Sequence, residues 1–144
     1  MSNNKILRGR PAWGPVVEGY AFVCPDSLIG WNGADVRTGI VTEKGHVHYG
    51  DCFAGKIIVM PCSRGSLGWS DTFRNSEYNG VGPSGYIFTR MDSKCGTAIF
   101  NTRRPCVADF TDCDPCVEIH DGDYIRLDGI NGTVEILIPA ETQN

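Results

Sequence analysis

The clearest candidate chemistry lies in the segment Arg64-Gly65-Ser66. It follows the short apolar run Ile57–Met60, which is typical of a buried strand. It precedes Trp69 and Phe73, whose spacing of four fits one face of a helix. A strand, a glycine-containing loop and a helix present free backbone N–H groups to an anion. Ser66 would lie where the helix begins, so a simple helix cap is the competing interpretation.

The serine and the arginine together suit a small carboxylate ligand. Arg64 and the free N–H groups would hold the anion, which leaves Ser66 for proton transfer. A serine base needs its alkoxide stabilised, and a helix N-terminus with one cation supplies this only in part. We therefore expect an electrophile from outside this chain. The sequence has no GxSxG elbow, Walker loop or dinucleotide fingerprint, and no recognisable His/Asp partner indicates a hydrolase triad.

Short strands and loops are predicted for the first half of the chain. Residues 5–10 and 16–23 have the pattern of strands, and residues 30–35 form a glycine-rich loop. Residues 39–41 are predicted as a brief strand and residues 46–48 as extended. No convincing helix is indicated in this half.

The second half alternates strands and helices. Strands are predicted at residues 57–60, 86–89 and 106–110. One helix follows Ser66, and a second begins after a cap at Asp92 or Ser93. This βαβαβ order predicts three parallel neighbouring strands, and a β-hairpin is predicted to close the chain. The fold class is therefore α/β, and we expect one domain over residues 1–144.

Length and composition exclude several classes of protein. A chain of 144 residues is long enough for a hydrophobic core, and a net charge of −4 with a pI near 5.3 argues against nucleic-acid binding. No apolar run approaches the roughly 20 residues that span a bilayer. The N-terminal segment lacks the apolar core of a signal peptide. We expect a soluble cytoplasmic protein that binds neither membranes nor nucleic acids.

Seven cysteines are many for a chain of this length. Their odd number and the lack of an export signal argue against a disulfide framework. A zinc site can be drawn from Cys106, Cys113, Cys116 and His120, but one isolated CxxC more often marks a turn. His46 and His48 would share one face of a strand, and a hydrogen-bonded or surface pair is the preferred interpretation. No metal site is predicted.

A series of short motifs resembles the small subunit of aconitase X enzymes. The motifs are Gly19-Tyr20-Ala21, Gly33-Ala34-Asp35, Thr38-Gly39, His46, Gly50, Ala54-Gly55-Lys56, Pro61 and Arg64-Gly65-Ser66. The resemblance extends from about Gly9 to the final hairpin. Its most specific part runs from Gly55 to Ser66.

The resemblance implies a swivelling β/β/α domain that completes an active site with a separate large subunit. It implies that the large subunit carries an iron–sulfur cluster and that no cluster ligand comes from the small subunit. Ser66 matches the serine that removes the proton α to the substrate carboxylate. Arg64 and the backbone from Gly65 through Leu67 to Gly68 would hold that carboxylate, with the cluster iron as Lewis acid on the leaving hydroxyl.

Two departures from the family bear on the substrate. Leu67-Gly68-Trp69-Ser70 replaces a run of small hydroxyl residues, and Ser63 stands where glycine is frequent. Leu67 and Trp69 suit a small ring if they face the pocket, and the segment after Ser66 holds only Arg74 before Arg90. These features favour dehydration of cis-3-hydroxy-L-proline to 1-pyrroline-2-carboxylate over dehydration of phosphomevalonate. A stand-alone, non-catalytic carboxylate-binding domain is the alternative of another class.

Overall fold

A computed structural model describes residues 3–143 of the chain. The ten strands among these residues are β1 (Ile6–Arg8), β2 (Arg10–Trp13), β3 (Val16–Val23), β4 (Ala34–Asp35), β5 (Ile40–Val41), β6 (Ile57–Met60), β7 (Gly85–Phe88), β8 (Cys106–Ala108), β9 (Tyr124–Asp128) and β10 (Thr133–Ile138). The helices are α1 (Trp69–Tyr78), α2 (Ser93–Thr102), α3 (Pro115–Glu118) and a 3₁₀ turn at Ala140–Thr142.

Eight of the strands form one mixed sheet in the order β1-β10-β9-β3-β6-β7-β8-β2, and β4 pairs with β5 separately. Strands β6, β7 and β8 run parallel as predicted, and β3 joins them as a fourth parallel strand. The carboxyl ends of these four strands therefore lie at the same edge of the sheet, where ligands bind in folds of this kind.

The buried strands separate two hydrophobic clusters, one on each face of the sheet. Ile58 and Met60 of β6 point into the cluster that α1 and α2 cover, whereas Ile57 and Val59 point into the other. This alternation follows from the two-residue period of a strand. It explains why β6 is a continuous apolar run, since both of its faces are buried.

Most of the predicted elements are present, with altered ends. The C-terminal hairpin of β9 and β10 is confirmed, and so is α2 with Asp92 as its cap. The single strand predicted at residues 5–10 is instead two strands, which pair with β10 and β8 at opposite edges of the sheet. Strand β8 ends at Ala108, because Asp109 adopts a φ of 58° that does not continue a strand.

Two predicted local structures are wrong. Residues 46–48 lie in consecutive turns and are not extended, so the two histidines do not share a strand face. The segment from Cys113 to Cys116 leads into the one-turn helix α3 with Asp114 as its cap, where only a turn was expected. Across residues 3–143, no helix is long and apolar enough to cross a membrane.

Candidate functional site

The loop between β6 and α1, residues 61–68, brings Ser66 to the carboxyl edge of the parallel strands. Gly65 has a φ of 87°, a conformation that glycine adopts without steric cost, and Ser66 follows it in an exposed position. Helix α1 begins at Trp69, and its N-cap is Gly68 with no side-chain capping bond. The interpretation of Ser66 as the helix cap is therefore wrong. Within residues 3–143 its Oγ has no hydrogen-bond partner.

Free backbone donors lie at and directly after Ser66 in the chain. The N–H groups of Ser66, Leu67 and Gly68 donate to no acceptor in the described part of the chain. The N–H of Trp69 turns back to the Ser66 carbonyl oxygen at 3.1 Å. The start of α1 therefore offers unpaired donors and the positive end of the helix dipole to an anion beside Ser66.

Side chains from neighbouring loops hold the serine loop in place. Ser27, in the loop after β3, donates its hydroxyl to the Cys62 carbonyl oxygen at 2.6 Å. Asp92, in the loop after β7, accepts from the backbone N–H and the hydroxyl of Ser63 at 3.0 and 2.7 Å. The Lys94 ammonium donates to the Gly65 carbonyl oxygen at 2.8 Å. The loop conformation is thus set by residues distant in sequence.

Gly30 contacts Ser66 directly. A Cβ atom at position 30 would lie 2.9 Å from both the amide nitrogen and the Oγ of Ser66. Real Cβ atoms do not approach that closely, so only glycine fits here without moving the serine. The glycine-rich loop predicted at residues 30–35 consequently belongs to the site.

Arg64 does not point freely into solvent. Its Nε donates to the Asp26 carbonyl oxygen at 2.8 Å, and its Nη2 pairs with Glu43. The other oxygen of Glu43 accepts from the Ile29 amide at 2.7 Å. Partial burial would raise the pKa of Glu43, but the bonds from Arg64 and Ile29 outweigh it and hold this pKa below its usual range. Substrate binding by Arg64 stays a prediction, and its pairing with Glu43 is a contact that sequence reasoning missed.

The fold brings two cations from distant positions in the chain to the serine loop. Lys94 reaches the serine loop from the first turn of α2, and the guanidinium of Arg90 lies 3.9 Å from the Cys62 sulfur. Both residues follow β7, which is the parallel neighbour of β6. The carboxyl ends of parallel strands lie at one edge of a sheet. The parallel pairing predicted for β6 and β7 could therefore have indicated that Lys94 and Arg90 lie near the serine loop.

The two apolar residues of the serine loop have different environments. Trp69 is 0% exposed and donates its indole N–H to the Leu28 carbonyl oxygen at 3.0 Å, so it belongs to the core. Leu67 is 84% exposed beside Ser66. Trp69 therefore offers no surface to a substrate. A cleft of about 650 Å³ adjoins the serine loop and is lined by Gly30, Trp31 and Gly68, among others.

The cysteines do not assemble into a metal site in the described part of the chain. No group of three or more His, Cys, Asp or Glu residues there has an arrangement that would hold a metal ion. Cys106 packs in the cluster beneath α1 and α2, whereas Cys113 and Cys116 pack on the opposite face of the sheet. The sheet thus separates Cys106 from Cys113 and Cys116, and the His120 side chain is 78% exposed.

The two histidines have structural partners, and those of His46 include the loop after β3. His46 donates from Nε2 to the Ser27 carbonyl oxygen at 2.7 Å and accepts from the His48 amide at Nδ1. His48 stacks on Phe22 and lies 2.9 Å from carboxylate oxygens of both Asp51 and Asp121. Neither histidine is free to act as a base for Ser66.

The fold and the site define an α/β domain that presents an exposed serine, free backbone donors and nearby cations at the carboxyl edge of its parallel strands. The sequence profile described as the aconitase X swivel domain matches residues 6–136. The chain belongs to this family, and the swivelling fold expected from its motifs is confirmed.

Similar proteins and a solved structure agree with this assignment. The phosphomevalonate dehydratase small subunit of Methanococcoides burtonii is 30% identical over 122 residues, which cover 85% of this chain and 88% of the relative. That of Thermococcus kodakarensis is 31% identical over 135 residues, which cover 94% and 98%. The crystal structure of the holo form of Thermococcus kodakaraensis aconitase X superposes with a TM-score of 0.85 at 30% identity, covering 92% of this chain and 98% of that one.

Proposed function

We propose that this chain is the small subunit of an aconitase X-type dehydratase and that Ser66 is its base. The observation that carries the proposal is the exposed Ser66 hydroxyl, which has no partner within residues 3–143 and stands beside unpaired backbone donors. Membership in the aconitase X swivel family and relatives named as dehydratase small subunits support it.

The reaction proposed for Ser66 is removal of the proton α to a substrate carboxylate. A serine acts as a base when its alkoxide is stabilised, and the N-terminus of α1 lowers the energy of negative charge at this position. Lys94 adds positive charge one residue away through its contact with Gly65. The free N–H groups of Leu67 and Gly68 would bind the carboxylate and the negative charge that develops as the proton leaves.

The remaining chemistry is assigned to a large subunit. The family resemblance implies that an iron–sulfur cluster on that subunit supplies the Lewis acid for the departing hydroxyl. The described residues of this chain offer no set of ligands for such a group. Gly65, Ser66 and Leu67 lie exposed at the sheet edge, where a partner would have access to them.

Phosphomevalonate is the substrate that we propose first. It is a 3-hydroxy carboxylate with a second anionic group, and Lys94 and Arg90 place positive charge beside the serine loop. The relatives quoted above are named phosphomevalonate dehydratase small subunits. The sequence favoured a ring substrate because Trp69 could face the pocket and few cations follow Ser66. Both reasons are weaker, since Trp69 is buried and Lys94 and Arg90 lie beside the loop.

Cis-3-hydroxy-L-proline is the second candidate, and one observation favours it. Leu67 is 84% exposed next to Ser66, at a position where the family resemblance implies a small hydroxyl residue. An exposed leucine suits the apolar edge of a pyrrolidine ring. Removal of the α proton and loss of the 3-hydroxyl would use Ser66 in the same way for both substrates.

The test is a turnover assay of this chain reconstituted with its large subunit, using each of the two substrates. We expect one substrate to be dehydrated and Ser66→Ala to lower kcat by about 100- to 10,000-fold, because general base catalysis typically contributes a factor of this size. Ser70→Ala is the matched control, because Ser70 is buried in α1 away from solvent. It should leave kcat within about twofold, as expected of a residue that does not touch the reacting atoms.

Two results would contradict the proposal. Substantial turnover by the Ser66→Ala complex would show that another group is the base. A chain that binds small carboxylates as a monomer, with no turnover in the complex, would instead favour the non-catalytic binding domain.

A further inference from the structure

Two loops meet at Ser66, and one carboxylate holds both of them. The loop after β3 brings Gly30 against the serine, and the loop after β6 carries the serine itself. Glu43 accepts from the Ile29 amide with Oε1 and from the Arg64 guanidinium with Oε2. Ile29 directly precedes Gly30 in the sequence, and Arg64 lies two residues before Ser66.

We infer that Glu43 is a positioning residue that clamps the Gly30 and Ser66 loops together through Ile29 and Arg64. The inference rests on the proposed role of Ser66. It gives Arg64 a structural role, whereas the sequence predicted that Arg64 binds the substrate carboxylate. Two of the Arg64 donors already donate to Glu43 and to the Asp26 carbonyl oxygen. Arg64 then shapes the loop, and the backbone donors with Lys94 are left for the substrate anion.

Burial and charge agree with a clamp. The Glu43 side chain is 18% exposed and the Arg64 side chain 40%, so the pair is partly shielded from solvent. The backbone N–H of His46 also donates to the Glu43 carbonyl oxygen at 3.2 Å, and His46 in turn supports Ser27 at its carbonyl oxygen. The turn that contains Glu43 is thus attached to the loop after β3 at more than one point.

Glu43→Gln is the informative substitution, because it keeps the size of the side chain. An amide has one acceptor oxygen in place of two carboxylate oxygens, so either Ile29 or Arg64 loses its acceptor. In the reconstituted complex we expect kcat to fall about 10- to 100-fold, the cost of a small misplacement of a reacting group, with KM within about threefold. Glu43→Asp, which is one methylene shorter, should give a similar loss.

Glu77→Gln is the matched control. Glu77 forms a comparable pair with Arg104, at 2.7 and 2.9 Å and with 25% of its side chain exposed. It lies in α1 eight residues after Trp69, about 12 Å along the helix from its start. We expect a similar loss of stability from both Gln variants, with kcat of the Glu77 variant within about twofold of wild type, as for a residue outside the site.

Hydrogen exchange of the complex provides a readout that does not depend on turnover. We expect Glu43→Gln to accelerate exchange of amides in residues 26–33 and 62–68 together, and Glu77→Gln to leave both segments unchanged. If the wild-type complex shows no dehydratase activity, the proposed function fails while this exchange pattern still decides the clamp. Unchanged exchange in both loops of the Glu43→Gln complex, or a kcat equal to that of the Glu77→Gln complex, would overturn the inference.

A double-substitution cycle separates the clamp from direct substrate binding by Arg64. If the two residues act as one unit, Glu43→Ala combined with Arg64→Ala should lower kcat no more than Glu43→Ala alone, which already removes the bonds to both Ile29 and Arg64. Additive losses, with a KM that rises only when Arg64 is replaced, would instead assign Arg64 to the substrate and overturn the clamp.

Discussion

At the scale of single residues, two glycines determine where the Ser66 hydroxyl lies. Gly65 turns the chain with a φ of 87°, and Gly30 leaves room for the serine by having no side chain. Neither contact orients the hydroxyl by a hydrogen bond, so Oγ stays available to a ligand. The exposure of the serine is thus a consequence of backbone shape.

Gly30→Ala should both lower the activity of the complex and destabilise the fold. The added methyl group would lie 2.9 Å from Ser66 N and Oγ, and the serine loop must shift to accommodate it. We expect kcat of the complex to fall about 10- to 100-fold, while the free energy of unfolding falls by about 1–3 kcal/mol, the usual cost of overpacking. Steady-state assays and urea unfolding measure the two effects.

Gly96→Ala is the control for this substitution. Gly96 lies in α2, and the nearest atom to an added Cβ there is the Met91 sulfur at 3.9 Å. Alanine should stabilise the helix by about 1 kcal/mol and leave kcat unchanged. An equal loss of kcat in both variants would contradict the role assigned to Gly30.

The sequence singled out Ser66 as a candidate catalytic residue, but it did not indicate the distant residues that contact its loop. Arg64-Gly65-Ser66 stands out because a strand, a glycine and a helix follow one another within a short segment. Glu43 and Lys94 are separated from their partners in this loop by 21 and 29 residues. No local pattern encodes such pairs, since they depend on which strands lie side by side.

At the scale of secondary-structure elements, Asp92 connects α2 to the serine loop. It caps α2 by accepting from the Cys95 amide at 2.9 Å, and it holds Ser63 through two further bonds. Partial burial would raise the pKa of Asp92, but the bonds from Ser63 and Cys95 outweigh burial and lower this pKa below its usual range. Its ionised form is therefore stabilised by the native structure.

Asp92→Ala should destabilise the chain by about 1–2 kcal/mol at pH 7, the typical cost of a lost cap. Because the folded-state pKa is lowered, the contribution of Asp92 is full above the unfolded-state pKa of about 3.9 and is lost as the pH falls through the folded-state value. The difference between wild type and variant should therefore shrink between pH 5 and pH 3, about the range in which a carboxylate with a lowered pKa loses its effect. Urea unfolding at several pH values measures this difference in the free energy of unfolding.

Asp92→Asn is the matched control, since asparagine also caps helices but does not titrate. It should be more stable than the alanine variant at pH 7. Equal differences between wild type and Asp92→Ala at pH 3 and pH 7 would show that the charge of Asp92 contributes nothing.

Elements with strong local signals over several residues were predicted correctly, whereas a short alternating segment was not. Strand β6 and helix α2 have clear apolar patterns and sequence boundaries, and both are present. Residues 46–48 alternate as a strand would, yet they form turns held by contacts of His46 with Ser27 and of His48 with Asp51 and Asp121. Tertiary hydrogen bonds outweighed the local pattern there.

At the scale of the whole molecule, burial around the sheet determines which of the seven cysteines are reactive. Cys24, Cys95 and Cys106 are 0% exposed, and burial raises the pKa of each thiol well above its usual range. Burial also raises the pKa of Cys116, to about 11. These thiols are therefore poor nucleophiles in the folded chain.

Alkylation of the native protein at pH 8 should leave Cys24, Cys95 and Cys106 unmodified, because they are neither accessible nor ionised. Cys52 is partly exposed and should react much sooner. Mass spectrometry of peptides after iodoacetamide treatment measures each site. In concentrated guanidinium chloride all seven cysteines should be labelled, and labelling of native Cys106 at the rate of Cys52 would contradict the described core.

The sequence by itself determined the βαβαβ unit, the closing hairpin and the position of Ser66 before a helix. These features depend on patterns within a few consecutive residues, such as the apolar run of β6 and the cap at Asp92. Only the tertiary structure decided that β3 is the parallel neighbour of β6, and hence that Gly30 lies against Ser66. It also decided that Glu43 holds Arg64 and that Lys94 reaches Gly65. The physical reason is that strand pairing brings distant loops to one edge, and burial then selects which of their polar groups bond.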